Sequence, residues 1–464
     1  MTEEFLNMNL HNGMPIKLKP YKHQIQGFNL CMENDGYGLL FDVGLGKSLT
    51  AAAVAGARYI KGEVNKVLII CPLAVLSVWE KEFKNLTVDN TLYALDGSLF
   101  RRLDMLRHFP KTGLNVAVIN YEGARTMEEY LLKWQPDLLI VDESQRIKNP
   151  LSQQSRTVHK LAKQINYRII LTATPIGNSA ADVFSQWKVI DENIFGKSYY
   201  SFLSEYFIKG SRKKVKNMQK LLDKAHSKAL RVAKEDALDL PEQIFETRFC
   251  QLEPKAKNIY NSLKTECYSE ISGGGITTTN ILVKLLKLQQ CADGFLKITD
   301  GEFYETISTA KLDVLKETVE DVISAGEKIV IFARFTHEIK AIYNEFTKMN
   351  IKSLILNGSV KDKGGVVKEF QENKDIKVII CQTQVGSVGI TLTAASVAIF
   401  YSMSFSLIDY LQAVGRIHRI GQKTRCLYIN LITKNTVDEK ILSAIENKKN
   451  LSEYICNNWK EVFE

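Results

Sequence analysis

Residues 36–60 read GYGLLFDVGLGKSLTAAAVAGARYI, and the order of residue types in this stretch decides the fold. An apolar run, Gly38 to Phe41, gives way to the glycine-bearing turn DVGLGKS and then to the small-residue stretch TAAAVAGARYI, which has helical character. A buried strand that passes through Gly44, Gly46, Lys47 and Ser48 into a helix is a phosphate-binding loop. Glycines let backbone N–H groups turn toward phosphate oxygens, and the helix N-terminus adds partial positive charge. Lys47 then reaches the terminal phosphates, Ser48 can ligate magnesium, and Asp42 and Leu45 complete the loop. The strict motif would place glycine at position 41, where Phe41 stands, so the strand–turn–helix context carries the reading.

Outward from the loop, short apolar runs recur at Val67–Ile70, Val116–Ile119, Leu138–Val141 and Ile169–Leu171, with amphipathic stretches between them. This alternation predicts an α/β lobe with a parallel sheet. From about Ser185 to Leu240 the sequence turns aromatic-rich and Lys-rich, and strand-like runs stop until Lys328. Alternation resumes at Lys328–Phe332, Ser353–Leu356, Val378–Ile380, Val397–Phe400 and Leu427–Leu431, which predicts a second α/β lobe. Thr436 to Lys449 has apolar residues at helical spacing and reads as a closing helix. The expected organisation is residues 1–184 as lobe 1, 185–310 as helical protrusions and linker, 311–434 as lobe 2 and 435–464 as a brace-helix region.

Two further constellations belong with the loop. Ninety-five residues after Lys47, the apolar strand LLIV ends in Asp142 and Glu143. An acidic pair at the C-terminal edge of a strand suits a magnesium-holding carboxylate, Asp142, and a carboxylate that orients and deprotonates the attacking water, Glu143. Near the N-terminus, LKPYKHQIQGF sets Gln24 close after Tyr21, a pair able to read an adenine edge and stack on its ring, or equally to pack a helix.

The order of blocks along the chain resembles the Swi/Snf branch of the superfamily 2 helicase-like ATPases: KPYKHQ, DVGLGKS, CPLAVLSVWEKEF, VDESQRIKN, LTATPIGN, IVIFARF, GSVGITLTAAS and QAVGRIHRIGQ. VDESQRIKN and GRIHRIGQ are the most telling, because strand-separating relatives usually lack both extensions. LRVAKEDALDLPEQ is similar to the family's junction into its linker, and TVDEKILSAIENKK to its closing brace helix. The chain departs from the pattern at Gln145, where many relatives carry His, at Arg231, a single arginine in place of a pair, and at Thr391, in place of a frequent Asn.

The resemblance implies two RecA-like lobes with the nucleotide held between them, ATP and Mg2+ as cofactors, and Gly389 and Gln412 among the nucleotide contacts. It implies that Arg416 and Arg419 stabilise transition-state charge, a contribution on the order of 10³ to 10⁵ in rate. Gln145, Thr172 and Thr174 would couple the site to a DNA groove. Pro72, Trp79, Asn120 and Tyr121 in the first lobe, with Arg334, Thr383 and Thr391 in the second, would touch phosphates rather than bases. Trp79 fits a core position as well on spacing alone, and the basic run SRKKVK, residues 211–216, fits either a DNA grip or a solvated face. His418 reads as a packing or coupling residue rather than a metal ligand.

Composition agrees and excludes. The 464 residues exceed what one core usually supports, and 45% hydrophobic with 24% charged residues is an ordinary globular composition. The excess of 61 Lys and Arg over 52 Asp and Glu suits a polyanionic partner without requiring one. The eight cysteines, at 31, 71, 250, 267, 291, 381, 426 and 456, form no CxxC pair, so reduced thiols and no zinc site are expected. The opening MTEEFLNMNLHNG lacks a signal-peptide layout, and the apolar stretch near Val67 is broken by Pro72, so no membrane span is expected. A soluble, intracellular monomer of a bacterial or virus-infected cell follows as the expectation, with duplex DNA as partner and DNA-bound proteins as targets. A strand-separating DNA or RNA helicase is the alternative activity; a decayed ATP-site scaffold and a small-molecule kinase fit less well, given Lys47, Asp142, Glu143, Arg416 and Arg419 in one chain.

Overall fold

The computed structural model describes residues 12–176, 179–208, 214–237, 240–273, 278–297, 304–386, 390–419 and 421–447. Contacts divide the chain into two units, 1–239 and 240–464. The stretch expected as a separate middle region is therefore shared: 185–239 packs with the first unit, and 240–310 with the second.

The first unit holds a seven-stranded sheet of β1 (Gly36–Phe41), β2 (Lys66–Cys71), β3 (Asn90–Ala94), β4 (Leu114–Asn120), β5 (Leu138–Asp142), β6 (Tyr167–Leu171) and β7 (Ala229–Val232). Its order is β3-β4-β2-β5-β6-β1-β7, with every pairing parallel. Val, Ile and Leu fill the central strands because helices cover both faces, and β1 and β5 are buried along their whole length. Each such side chain contributes about 1.5–3 kcal/mol relative to an exposed one. The helix Lys47–Ile60 is buried from Leu49 to Arg58, its alanines admitting close approach to the sheet. The helix Lys22–Glu33 lies close over β1 through Gly27, where a Cβ would come within 2.7 Å of the Phe41 ring.

The second unit has β8 (Gln243–Cys250), a short antiparallel ribbon of β9 (Phe295–Lys297) and β10 (Tyr304–Thr306), then β11 (Ile329–Ala333), β12 (Ser353–Leu356), β13 (Val378–Gln382), β14 (Val397–Phe400) and β15 (Cys426–Thr433). Its parallel sheet runs β12-β13-β11-β14-β15-β8. Both sheets thus acquire an edge strand, β7 or β8, from the stretch that the sequence pattern leaves without strands. The expected closing helix is present as Val437–Glu446, with Val437, Ile441, Ala444 and Ile445 buried; residues 448–464 lie outside the described residues. The seven described cysteines are all buried. Among the described residues no helix is long and apolar enough to cross a membrane, and no His/Cys/Asp/Glu cluster forms a metal-binding group.

Candidate nucleotide site

The site is built on the C-terminal edge of the first sheet, where β1, β5 and β6 end side by side. Gly44 and Gly46 adopt φ of 90° and 78°, a region that disfavours any residue with a Cβ. At Gly46 a Cβ would stand 2.1 Å from Gln24 Nε2. The loop is therefore clamped from the helix Lys22–Glu33: Gln24 Nε2 donates to Leu45 O at 3.3 Å, and His23 Nε2 donates to the same carbonyl at 2.9 Å. Gln24 also accepts from Tyr21 N at 2.8 Å, which fixes Tyr21 at the loop's flank with 39% of its surface exposed. Gln24, expected at an adenine edge, is itself buried and spends its amide on the loop backbone.

Lys47 Nζ donates to Phe41 O at 2.7 Å and to Asp42 O at 3.3 Å, so the ammonium is aimed across the loop rather than away from it. Ser48, in the first turn of the following helix, is half-buried beside it. Asp42 takes a different place from the one expected. Its carboxylate meets Arg231 Nη2 at 2.7 Å and accepts from Lys234 N at 3.1 Å, tying the end of β1 to β7 and the residues beyond it.

Asp142 is buried at the end of β5, where Oδ1 accepts from Glu143 N at 3.0 Å and Oδ2 from Trp79 Nε1 at 3.2 Å. Burial, then the adjacent Glu143 carboxylate, push its carboxyl up to about 7 against the pull of Lys47 and these hydrogen bonds. A divalent cation held there would reverse that balance. Glu143 lies in the left-handed region at φ 53°, ψ 52°, an uncommon conformation for a residue with a side chain and one that gathers at functional sites. Tyr121 Oη donates to the carbonyls on both sides of it, Asp142 O at 2.7 Å and Glu143 O at 3.4 Å.

The three residues expected to couple form one continuous chain. Thr174 N donates to Thr172 Oγ1 at 3.0 Å, Thr172 Oγ1 donates to Gln145 Oε1 at 2.7 Å, and Gln145 Nε2 donates to Glu143 Oε2 at 2.5 Å. A parallel link, which no motif signalled, runs through the fully buried Gln186: it accepts from Ser144 Oγ at 2.8 Å and donates to Pro175 O at 2.6 Å. The segment after β6 is thus bonded twice to the segment after β5.

Several residues expected to face DNA do not present their side chains. Trp79 and Tyr121 are buried on the acidic pair, and Pro72 is buried at the start of a short 3-10 turn. Asn120 caps the helix Tyr121–Thr126 through its bond from Gly123 N. In the second unit Thr383 is buried and donates to Ala333 O at 3.2 Å. Arg334 donates to Gln289 Oε1 at 2.8 Å and stacks 4.1 Å over Phe405; burial holds its guanidinium down at about 10. Thr391 remains half-buried, with surface to offer.

Arg416 and Arg419 both donate to Ile390 O at 3.1 Å, and Arg416 also to Gln412 O at 3.0 Å, so one carbonyl gathers the two guanidinium groups. Gly389, beside it, lies outside the described residues, as do 211–213 of the basic run. His418 is buried with Nε2 donating to Pro241 O at 2.8 Å, the packing role its context suggested. Unforeseen is a buried ion cluster: Lys311 Nζ lies 2.6 Å from both Asp293 and Asp438, and Glu338 is buried beside them.

Comparison with known proteins then places the chain. The SNF2-related domain matches residues 23–294, more than half of the sequence, and the helicase conserved C-terminal domain matches residues 310–421. The chain belongs to the SNF2-related family. Both domains belong to helicase-like ATPases, and the loop, Asp142 and Glu143 all lie within the SNF2-related match. This SNF2-related chain is 27% identical over 466 residues to the chromodomain-helicase-DNA-binding protein 1-like of Danio rerio, covering 95% of itself and 44% of that protein. It is 26% identical to an uncharacterized ATP-dependent helicase of Mycoplasma genitalium, covering 97% and 43%, and 26% identical to an ISWI chromatin-remodeling complex ATPase of Saccharomyces cerevisiae, covering 95% and 40%. It therefore spans less than half the length of these curated relatives. A solved SWI2/SNF2 ATPase core of Sulfolobus solfataricus in complex with dsDNA matches 96% of this chain and 95% of that one, at 26% identity and a TM-score of 0.47.

Proposed function

We propose that this chain hydrolyses ATP at the edge formed by β1, β5 and β6 and converts the cycle into movement along duplex DNA without separating its strands, remodelling protein–DNA complexes or branched DNA. The observation that carries the proposal is the unbroken chain from Thr174 through Thr172 and Gln145 to Glu143, which gives the hydrolytic carboxylate a mechanical connection to a segment outside the nucleotide loop. Family membership supports it, as do relatives named as DNA-binding helicases and a remodelling ATPase.

ATP bound with magnesium supplies the phosphoanhydride and the charge neutralisation. The amides of Gly44 and Gly46 would cradle phosphate oxygens, Lys47 would turn from Phe41 O and Asp42 O to the terminal phosphates, and Ser48 with Asp142 would hold the metal. The glycine cradle that a Cβ would fill, and a buried carboxyl with a raised affinity for positive charge, suit those roles. Glu143 would accept the proton of the attacking water, with Gln145 fixing its orientation. Arg416 and Arg419 would leave Ile390 O to stabilise the transition state. DNA contacts fall to backbone and half-exposed groups such as Asn120 and Thr391, giving binding that is insensitive to sequence and sensitive to salt.

ATP hydrolysis by wild type and Lys47→Ala, measured with no nucleic acid, duplex DNA, single-stranded DNA or RNA at two salt concentrations, tests the proposal. Strongest stimulation by duplex, silence of the mutant and displacement of a triplex-forming strand without unwinding support it. Strongest stimulation by RNA or single strands replaces it with the helicase reading, which the name of the Mycoplasma relative favours.

A further inference from the structure

Trp79 and Tyr121 come from two separate segments, the helix Leu76–Lys84 that follows β2 and the helix Tyr121–Thr126 that follows β4, yet both end on one residue of β5. Trp79 is fully buried, packs 6.3 Å from the Phe83 ring, and places its only hydrogen-bond donor on Asp142 Oδ2. With Glu143 N on Oδ1, each carboxylate oxygen holds one donor and keeps a lone pair, and the plane of the group cannot turn without breaking both bonds. Tyr121, equally buried, spans the peptide unit at which Glu143 turns left-handed. Its hydroxyl is the external donor that holds this turn.

We propose that Trp79 and Tyr121 are positioning residues for the metal-ligating carboxylate, fixing Asp142 and the adjoining left-handed turn of Glu143 from the segments that follow β2 and β4. The proposal rests on Asp142 being the magnesium ligand. It changes what these two residues do: neither side chain contacts nucleic acid, and each acts on the hydrolytic pair.

The test uses the full chain without nucleic acid. Equilibrium binding of a fluorescent ATP analogue is followed against magnesium concentration for wild type, Trp79→Phe, Tyr121→Phe and Phe83→Leu, with duplex DNA affinity by anisotropy and thermal melting measured in parallel. Loss of a hydrogen bond to a charged group raises the half-saturating magnesium roughly tenfold in Trp79→Phe. Tyr121→Phe, which loses one oxygen and no packing, raises it several-fold. Phe83→Leu, which loosens the same pocket without removing a donor, leaves it unchanged, and DNA affinity stays at the wild-type value in all three. Weakened DNA binding with unchanged magnesium dependence overturns the proposal and returns both residues to the DNA interface; an equal shift in Phe83→Leu overturns it in favour of simple packing. Nucleotide binding by the wild type that ignores magnesium is a separate result, and refutes the role of Asp142 itself.

Discussion

Leucine at position 145 would keep the size of a nearly buried side chain while removing both bonds of its amide. Gln145 Oε1 accepts from Thr172 at 2.7 Å, and Nε2 donates to the Glu143 carboxylate at 2.5 Å. The first, between neutral groups, contributes about 1 kcal/mol and the second, to a charged group, about 1.5–3 kcal/mol. Only the part that fixes Glu143 while water is attacked bears on the chemical step, and about 1.4 kcal/mol corresponds to a factor of ten. Gln145→Leu should therefore lower the DNA-stimulated kcat by roughly 10- to 100-fold. The KM for ATP should stay within about twofold, since neither bond reaches the phosphate loop and uniform binding is left intact. Steady-state hydrolysis against ATP concentration at saturating duplex separates the two. A kcat equal to wild type, or a loss expressed wholly in KM, would refute the reasoning.

Gly46→Ala forces a Cβ to within 2.1 Å of Gln24 Nε2 at a φ of 78°; it should weaken ATP binding by at least about tenfold in calorimetric titration, the left-handed conformation alone adding about 1–2 kcal/mol. Lys311→Met strips the cation from the buried Asp293 and Asp438 and should destabilise the second unit by about 3–5 kcal/mol, seen as a lower melting transition. Burial lowers the pKa of His159 from 6.5, so the unfolded chain takes up a proton that the folded chain refuses. The stabilisation is whole above that value and is lost as pH falls through it, with a slope of at most about 1.4 kcal/mol per pH unit. Urea unfolding at pH 7.5 and 5.5 should show a steeper loss for wild type than for His159→Asn; equal losses would contradict the assignment.

The proposed hydrolytic edge could be named from sequence because its candidate chemistry is written in contiguous residues: the glycines of DVGLGKS, and an acidic pair ending an apolar run. The central strands were legible for a related reason, since burial on both faces leaves unbroken Val, Ile and Leu. β3 and β7 escaped notice because edge strands are covered less and need no such run; β3 is half-buried throughout, and β7 is four residues with Arg231 among them. The fates of Tyr121, Thr383 and Arg334 were illegible, and Trp79 stayed open between core and DNA contact, because each stands in a motif while burial depends on packing between segments far apart in sequence. Gln24, Gln186 and the Lys311 cluster show the same limit. Their distant partners Leu45, Ser144 and Asp438 lie 21, 42 and 127 residues away, and no local spacing signals them.

Asp42 gives the connector between the units an unusual mooring. The chain leaves the first unit by β7, and the carboxylate one residue past β1 grips that exit at Arg231 and at the Lys234 amide. The next strand, β8, begins at Gln243, so eight residues, 235–242, separate it from Lys234. The residue that opens the glycine turn is thus fastened to the last strand of its own unit and to the amide of Lys234, so displacing Asp42 breaks both bonds at once.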